Sequence, residues 1–186
     1  MTGHGASESG PSEAGARESG ASDSGRSESG RSESDLTDPG AAGPASENPE
    51  TLIHASCVGF GDRGLLILGP SGSGKSALAL KLIALGAALV ADDRTLLTRD
   101  GDALIARCPK TLSGLIEARF VGLLRATPLE RAQIALVVDL SQHESARLPP
   151  RRAITLQGVT LDLVLGTQSD HFPAALLCYL RGGRAA

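Results

Sequence analysis

The chain has 186 residues, a formal net charge of −3 and only four aromatic side chains, three Phe and one Tyr. That length suits one globular domain whose core must be aliphatic. No Lys/Arg run interleaved with aromatics marks a nucleic-acid surface. No apolar run approaches the ~18 residues of a membrane span or forms the core of a secretory leader, so a cytoplasmic protein without membrane contact is expected.

Residues 1–50 hold ten acids and three Arg, and Leu36 is the only large apolar residue after the initiator Met. Glycine recurs every five residues from Gly5 to Gly30 in blocks such as Arg-Ser-Glu-Ser-Gly. Such a segment buries too little to offset its ordering entropy, and a disordered tail is expected over 1–50, either an acidic linker or a tether for a partner. Residues 51–186 then carry fifteen Lys and Arg against eleven acids, a mild positive charge that suits an anionic ligand or an acidic protein surface. Cys57, Cys108 and Cys178 are odd in number and widely spaced. They form no disulfide framework or zinc motif and are expected as small buried residues.

Within 51–186, short apolar runs predict strands at Leu52–Phe60, Leu65–Gly69, Ala88–Ala91, Thr95–Thr98, Ala103–Arg107, Ile134–Leu140 and Val159–Leu165. Tight turns at Gly61-Asp62-Arg63-Gly64 and Asp100-Gly101-Asp102 predict hairpins, hence a mixed sheet. Leu78, Leu82 and Leu85 share one face of a helix over Lys75–Leu85, closed by Gly86, and a second helix is expected over Phe172–Arg181. The fold class is α/β, with few helices.

Between the second run and the first helix, Gly69-Pro70-Ser71-Gly72-Ser73-Gly74-Lys75-Ser76 has the spacing of a phosphate-binding loop. Its glycines allow backbone N–H groups to turn inward around a polyphosphate, Lys75 reaches the β- and γ-phosphates of a nucleotide such as ATP, and Ser76 offers a hydroxyl to Mg²⁺. Kinases, ATPases, GTPases and passive sensors all use this device, so the loop alone leaves the reaction open.

Further candidates follow. Asp92 and Asp93 end a strand where ligands of α/β folds gather; one carboxylate could take a proton from an attacking hydroxyl while the other orients water or metal, or both could cap a turn. Period-2 alternation predicts that the two do not face the same atom. Asp139 ends an apolar strand, a metal contact or a structural turn residue. Glu117 and Arg119 alternate, a carboxylate for Mg²⁺ beside a guanidinium for phosphate, or a surface ion pair. His54 lies in an apolar setting, as core histidines do, and His143 and His171 have no partner at metal-ligand spacing.

Together, Ile53-His54-Ala55-Ser56, the Phe60–Leu65 hairpin, the phosphate loop, Leu89-Val90-Ala91-Asp92-Asp93 and Ile116-Glu117-Ala118-Arg119 with Gly122-Leu123-Leu124 resemble the catalytic domain of HPr kinase/phosphorylase. The resemblance spans about Leu52 to Val138. It implies a fold similar to phosphoenolpyruvate carboxykinase, and ATP-dependent phosphorylation of a serine on the phosphocarrier HPr, reversible by inorganic phosphate. It further implies His54, Lys75 and Asp93 as catalytic residues, Asp93 as the base, Ser76 and Glu117 as Mg²⁺ contacts, and Arg147 as a later catalytic arginine. HPr or an HPr-like carrier is the expected partner, and a homo-oligomer is possible in that family. The chain resembles a short form of the family, with a Gly/Ser/Glu repeat where full-length members carry an N-terminal domain, and it departs from the pattern in carrying Phe120 where glycine is usual and Thr167-Gln168-Ser169-Asp170 in place of an Arg- and Gly-rich stretch. The last two bear on the reverse reaction and on assembly. The alternatives are a nucleotide-binding regulatory domain with little turnover, and a small-molecule kinase.

Overall fold

A computed structural model describes residues 49–185. The tail expected to be disordered, 1–50, lies outside the described residues but for Pro49 and Glu50. In chain order the elements are β1 (Thr51–Ile53), β2 (Ser56–Phe60), β3 (Arg63–Leu68), α1 (Lys75–Ala84), β4 (Ala88–Ala91), β5 (Thr95–Asp100) and β6 (Ala103–Arg107). A 3₁₀ turn (Lys110–Leu112) precedes β7 (Leu115–Ala118), β8 (Gly122–Arg125), β9 (Arg131–His143), β10 (Arg152–Leu156), β11 (Val159–Gly166) and α2 (Phe172–Gly182).

The main sheet runs β1-β5-β6-β9-β3-β2-β4, with β11 attached to β9 and β10 to β11. It is mixed, as the hairpins require: β3 and β11 lie parallel to β9, and the other named pairs are antiparallel. β7 and β8 form a separate two-stranded hairpin.

Both faces of the sheet are covered. Leu65 and Ile67 of β3 pack with Leu78 and Leu82 of α1 and Leu176 and Leu180 of α2. Leu66, pointing the other way, joins Cys57, Val90, Leu97, Leu104 and Val137. Strands buried on both faces lose the apolar/polar alternation, which is why β3 and the middle of β9 read as continuous apolar runs. The register between β3 and β9 shifts at Gly64/Leu65, where Ala135 of β9 has no opposite number. This bulge flips the parity: Ile134 faces one core, while Leu136 and Val138 face the other.

Helix α1 ends on Gly86 as expected. Gly86 takes φ 97, its N–H donates to Ile83 O, and the Ala87 N–H donates to Leu82 O, the paired bonds of a glycine-closed helix end.

Three expectations need correction. The run Leu52–Phe60 is two strands, because the chain breaks at His54-Ala55: β1 pairs with β5, whereas β2 pairs with β3 and β4. The Thr95 hydroxyl, buried beside the break, donates to Ala55 O. The first hairpin loop is only Gly61-Asp62, since Arg63 and Gly64 already pair with Phe60 and Gly59. Of the cysteines, Cys57 is buried and Cys108 half-buried, but Cys178 is exposed on α2; all three are free thiols. No described helix is long and apolar enough to cross a membrane.

Candidate active site at the phosphate loop

The loop follows β3 and opens α1, the arrangement its spacing requires. Gly69 takes φ 146, and a Cβ there would stand 2.5 Å from Ser73 Oγ; Gly72 and Gly74 also have positive φ. The turns that aim backbone N–H groups inward are therefore closed to ordinary side chains.

Lys75 begins α1 and is only 4% exposed. Its ammonium donates to Gly69 O and Pro70 O, each at 3.1 Å, and to His54 Nε2 at 2.8 Å. A lysine ammonium can only donate, so His54 Nε2 accepts, and the ring proton resides on Nδ1. Nδ1 lies 3.1 Å from Asp93 O and 3.5 Å from Asp93 Oδ1. The break between β1 and β2 thus serves the site, setting His54 between the loop lysine and Asp93.

Asp92 and Asp93 do face different atoms. Asp92 Oδ1 accepts the hydroxyl protons of Ser56 (2.6 Å) and Ser76 (2.9 Å), and Oδ2 accepts the Glu117 N–H at 3.3 Å. One carboxylate therefore joins β2, α1 and the β7–β8 hairpin. Asp93 has φ 64, unusual for a residue other than glycine, and the Arg94 N–H closes back onto Asp92 O at 2.7 Å. That tight reversal lets three successive residues, Asp92, Asp93 and Arg94, line one cleft. An extended strand would splay them alternately.

The cleft has a volume of about 470 Å³. Ser71, Gly72, Gly74, Lys75 and Ser76 form its floor; Glu117 and Arg119 reach it from the hairpin. Glu117 belongs to β7 whereas Arg119 sits in the turn, so they converge without sharing a strand face. Ile116 and Ala118 point the other way and are buried. Next to Arg119, Phe120 takes φ 66, a conformation that favours glycine, and is fully exposed.

Among the described residues, no three His, Cys, Asp or Glu side chains cluster to hold a metal. The donor set fits Mg²⁺, which is held by one or two protein oxygens together with substrate phosphates. Ser76 gives its proton to Asp92 and so keeps lone pairs for a cation, with the Glu117 carboxylate on the same cleft.

Other candidates fall elsewhere. Arg147 is exposed between β9 and β10 and does not line the cleft. Asp139 does not end its strand but lies inside β9, at the irregularity before His143, where it accepts from Ser141 N (2.8 Å) and Gln142 Nε2 (3.4 Å). Thr167, Gln168 and Ser169 line a smaller hollow of about 220 Å³ behind the loop with Ser73 and Lys81. Sequence reasoning missed Ser56 and Arg94, and left Asp92 a generic supporting role. Adjacency to Asp93 is the signal that could have found Arg94, and membership of the Ile53-His54-Ala55-Ser56 segment the one that could have found Ser56.

Burial, and secondarily the Asp92 charge, raises the Cys108 thiol above its usual range.

Comparison with known proteins bears on the family and the fold. Residues 46–152 match the family model described as HPr Serine kinase C-terminal domain. HPr kinase/phosphorylase of Bordetella pertussis is 36% identical over 128 residues, covering 62% of this chain and 40% of the relative. That of Clostridium acetobutylicum is 37% identical over 106 residues, covering 53% and 35%. The chain therefore spans roughly two fifths of the length of the curated relatives it matches. The fold is similar to a solved structure of the Hpr(Ser) kinase/phosphatase from Coxiella burnetii, with TM-score 0.59 and 23% identity, covering 70% of this chain and 94% of that one. Matched over more than half its length, with its phosphate loop and aspartate pair inside the matched region, the chain belongs to the HPr serine kinase C-terminal domain family.

Proposed function

We propose that residues 51–186 form a phosphate-loop kinase domain of phosphoenolpyruvate-carboxykinase-like fold that transfers the γ-phosphoryl group of ATP to a serine of HPr or an HPr-like carrier, in the cytoplasm. The observation that carries the reading is the Lys75–His54–Asp93 chain of contacts, which sets a phosphate-binding cation and a proton acceptor a single imidazole apart.

In this reading Gly69–Ser76 cradle the phosphates by backbone N–H groups, and Lys75 exchanges one of its internal acceptors for phosphate oxygens. Ser76 and Glu117 hold Mg²⁺, which when bound neutralises phosphate charge. Asp93 takes the proton of the acceptor hydroxyl as the serine oxygen bonds the γ-phosphorus and the bond to the β–γ bridging oxygen breaks; in phosphorolysis it returns that proton. His54, with Nδ1 against Asp93 and Nε2 against Lys75, keeps both in place. Arg147 adds positive charge from the β9–β10 loop.

The test is incubation of the protein with ATP, Mg²⁺ and purified HPr-type carriers. Phosphoserine on the carrier, abolished in Asp93→Asn, is the expected result. Binding of nucleotide with no transfer to any carrier overturns it and favours a regulatory domain, the reading to which the altered Phe120 and Thr167–Asp170 segments point. Added inorganic phosphate tests the reverse reaction on the same phosphoprotein.

A further inference from the structure

The polar lining of the cleft accounts for only part of it. Beyond the loop, the 92–94 turn, Glu117 and Arg119, the lining residues are Ala77, Leu80, Leu112, Leu115 and Leu123. Ala77 and Leu80 continue α1 directly from Ser76; Leu115 of β7 and Leu123 of β8 share one face of the hairpin, since Leu123 pairs with Glu117. Helix α1 packs against β7, and Leu112 in the 3₁₀ turn stands just before that strand. These side chains form one aliphatic shelf starting a residue beyond the loop serine. Leu123 is 65% exposed, a large apolar group left open to water on a site wall.

We propose that this shelf takes the nucleoside of the phosphoryl donor, packing a base by its faces and reading none of its edges, so that the site selects a triphosphate and not a particular base. The proposal rests on the phosphate-donor reading of the cleft. Continuity assigns the occupant: a triphosphate held at Gly69–Ser76 has its nucleoside attached at the far end from the reacting phosphorus, and the cleft wall next to Ser76 is Ala77 and Leu80. The flat faces of any base bury well against Leu side chains. Discrimination between bases needs a buried donor or acceptor that the wrong base leaves unpaired. No shelf side chain carries one: the polar lining side chains sit on the loop, on the 92–94 turn and at Glu117 and Arg119, and Arg119 Nη2 lies 3.6 Å from where a Cβ on Gly72 would stand, at the phosphate end.

The experiment is calorimetric titration of the full chain with ATP, GTP and inorganic tripolyphosphate, each with Mg²⁺, in the protein and in Leu123→Ser. The expected result is ATP and GTP within about threefold of each other, since neither is read by hydrogen bonds, and both tighter than tripolyphosphate by roughly tenfold or more from base burial. Leu123→Ser should weaken both nucleotides by about fivefold and leave tripolyphosphate unchanged, which also shows that the variant is folded. A preference of tenfold or more for one base, or nucleotide affinities untouched by Leu123→Ser, overturns the inference while the donor reading stands. If nucleotides and tripolyphosphate all fail to bind, both fall.

Discussion

Asp92 Oδ1 lies 2.9 Å from Ser76 Oγ, and the same carboxylate accepts from Ser56 and from the Glu117 amide. A single side chain therefore sets the loop serine's proton and the position of the hairpin that carries Glu117. Asp92→Asn separates the two duties. Its amide oxygen can still accept from the serines, but its NH₂ would face the Glu117 N–H, donor against donor. Faster hydrogen exchange across β7–β8 and a loss of roughly 1–3 kcal/mol in unfolding free energy are expected; unchanged exchange in the hairpin would refute the link.

Lys75 donates to three acceptors while nearly buried, so its ammonium is pre-positioned without a carboxylate partner. Lys75→Met keeps the stem volume and removes the charge. Tripolyphosphate affinity should fall by about 10- to 100-fold, the worth of charge-assisted hydrogen bonds. Gly69 O and Pro70 O can turn to water, so folding should survive; equal affinity in the variant would show that Lys75 does not reach the phosphates.

Asp93 adopts φ 64, a conformation that costs a side-chain-bearing residue about 1 kcal/mol or more. Asp93→Gly should therefore hold or raise thermal stability while abolishing phosphoryl transfer and preserving nucleotide binding. Asp93→Asn should be similarly inactive, because asparagine tolerates the conformation but cannot accept the proton. Residual transfer in both variants above about a hundredth of the parent rate, roughly the least that a positioned base contributes, would remove Asp93 from the proton path.

How much of this could be read from the chain alone follows from the range of each interaction. The loop, α1 and the Gly86 end are encoded by neighbours within one or two turns, and all three stand where spacing placed them. The division of Leu52–Phe60 at His54-Ala55 depends on β5, some forty residues later, so a local apolar run could not reveal it. Ala135 is hidden for the same reason: a bulge inside a strand buried on both faces changes no residue type. Strands β7, β8 and β10 escaped notice because they are edge or hairpin strands: β7 is only four residues long, β8 is exposed throughout and β10 has no buried residue. Asp92 and Asp93 engage different atoms as expected, but not through strand parity: β4 ends at Ala91, and their shared cleft needs the positive φ at Asp93.

Phe120 combines φ 66 with complete exposure at the hairpin tip. No core contact holds it there, so the turn itself imposes the strain. Phe120→Gly should raise unfolding free energy by about 1 kcal/mol through relief of the left-handed conformation, seen as a higher midpoint in thermal unfolding. A fall in stability would mean that the ring makes contacts that offset the strain.

The cysteines give a pH test with a definite sign. Burial pushes the Cys57 thiol far above its ordinary value of 9.0, so the folded state keeps a proton that the unfolded chain releases once pH exceeds that value. A folded-state pKa raised above the unfolded one gives stability that is complete below about pH 9 and declines on the alkaline side, by up to about 1.4 kcal/mol per pH unit for one proton. Other groups also titrate there, so the quantity to measure is the difference between the protein and Cys57→Ala in urea unfolding from pH 8 to 10.5. The alanine variant should start less stable, because it leaves a small cavity between β2 and the second core, and the gap should narrow as pH rises. A gap independent of pH would place a solvent-reached thiol, with the same affinity for its proton folded and unfolded, at position 57. Alkylation supplies the parallel check: exposed Cys178 should react in the native protein, half-buried Cys108 more slowly, and Cys57 only on unfolding.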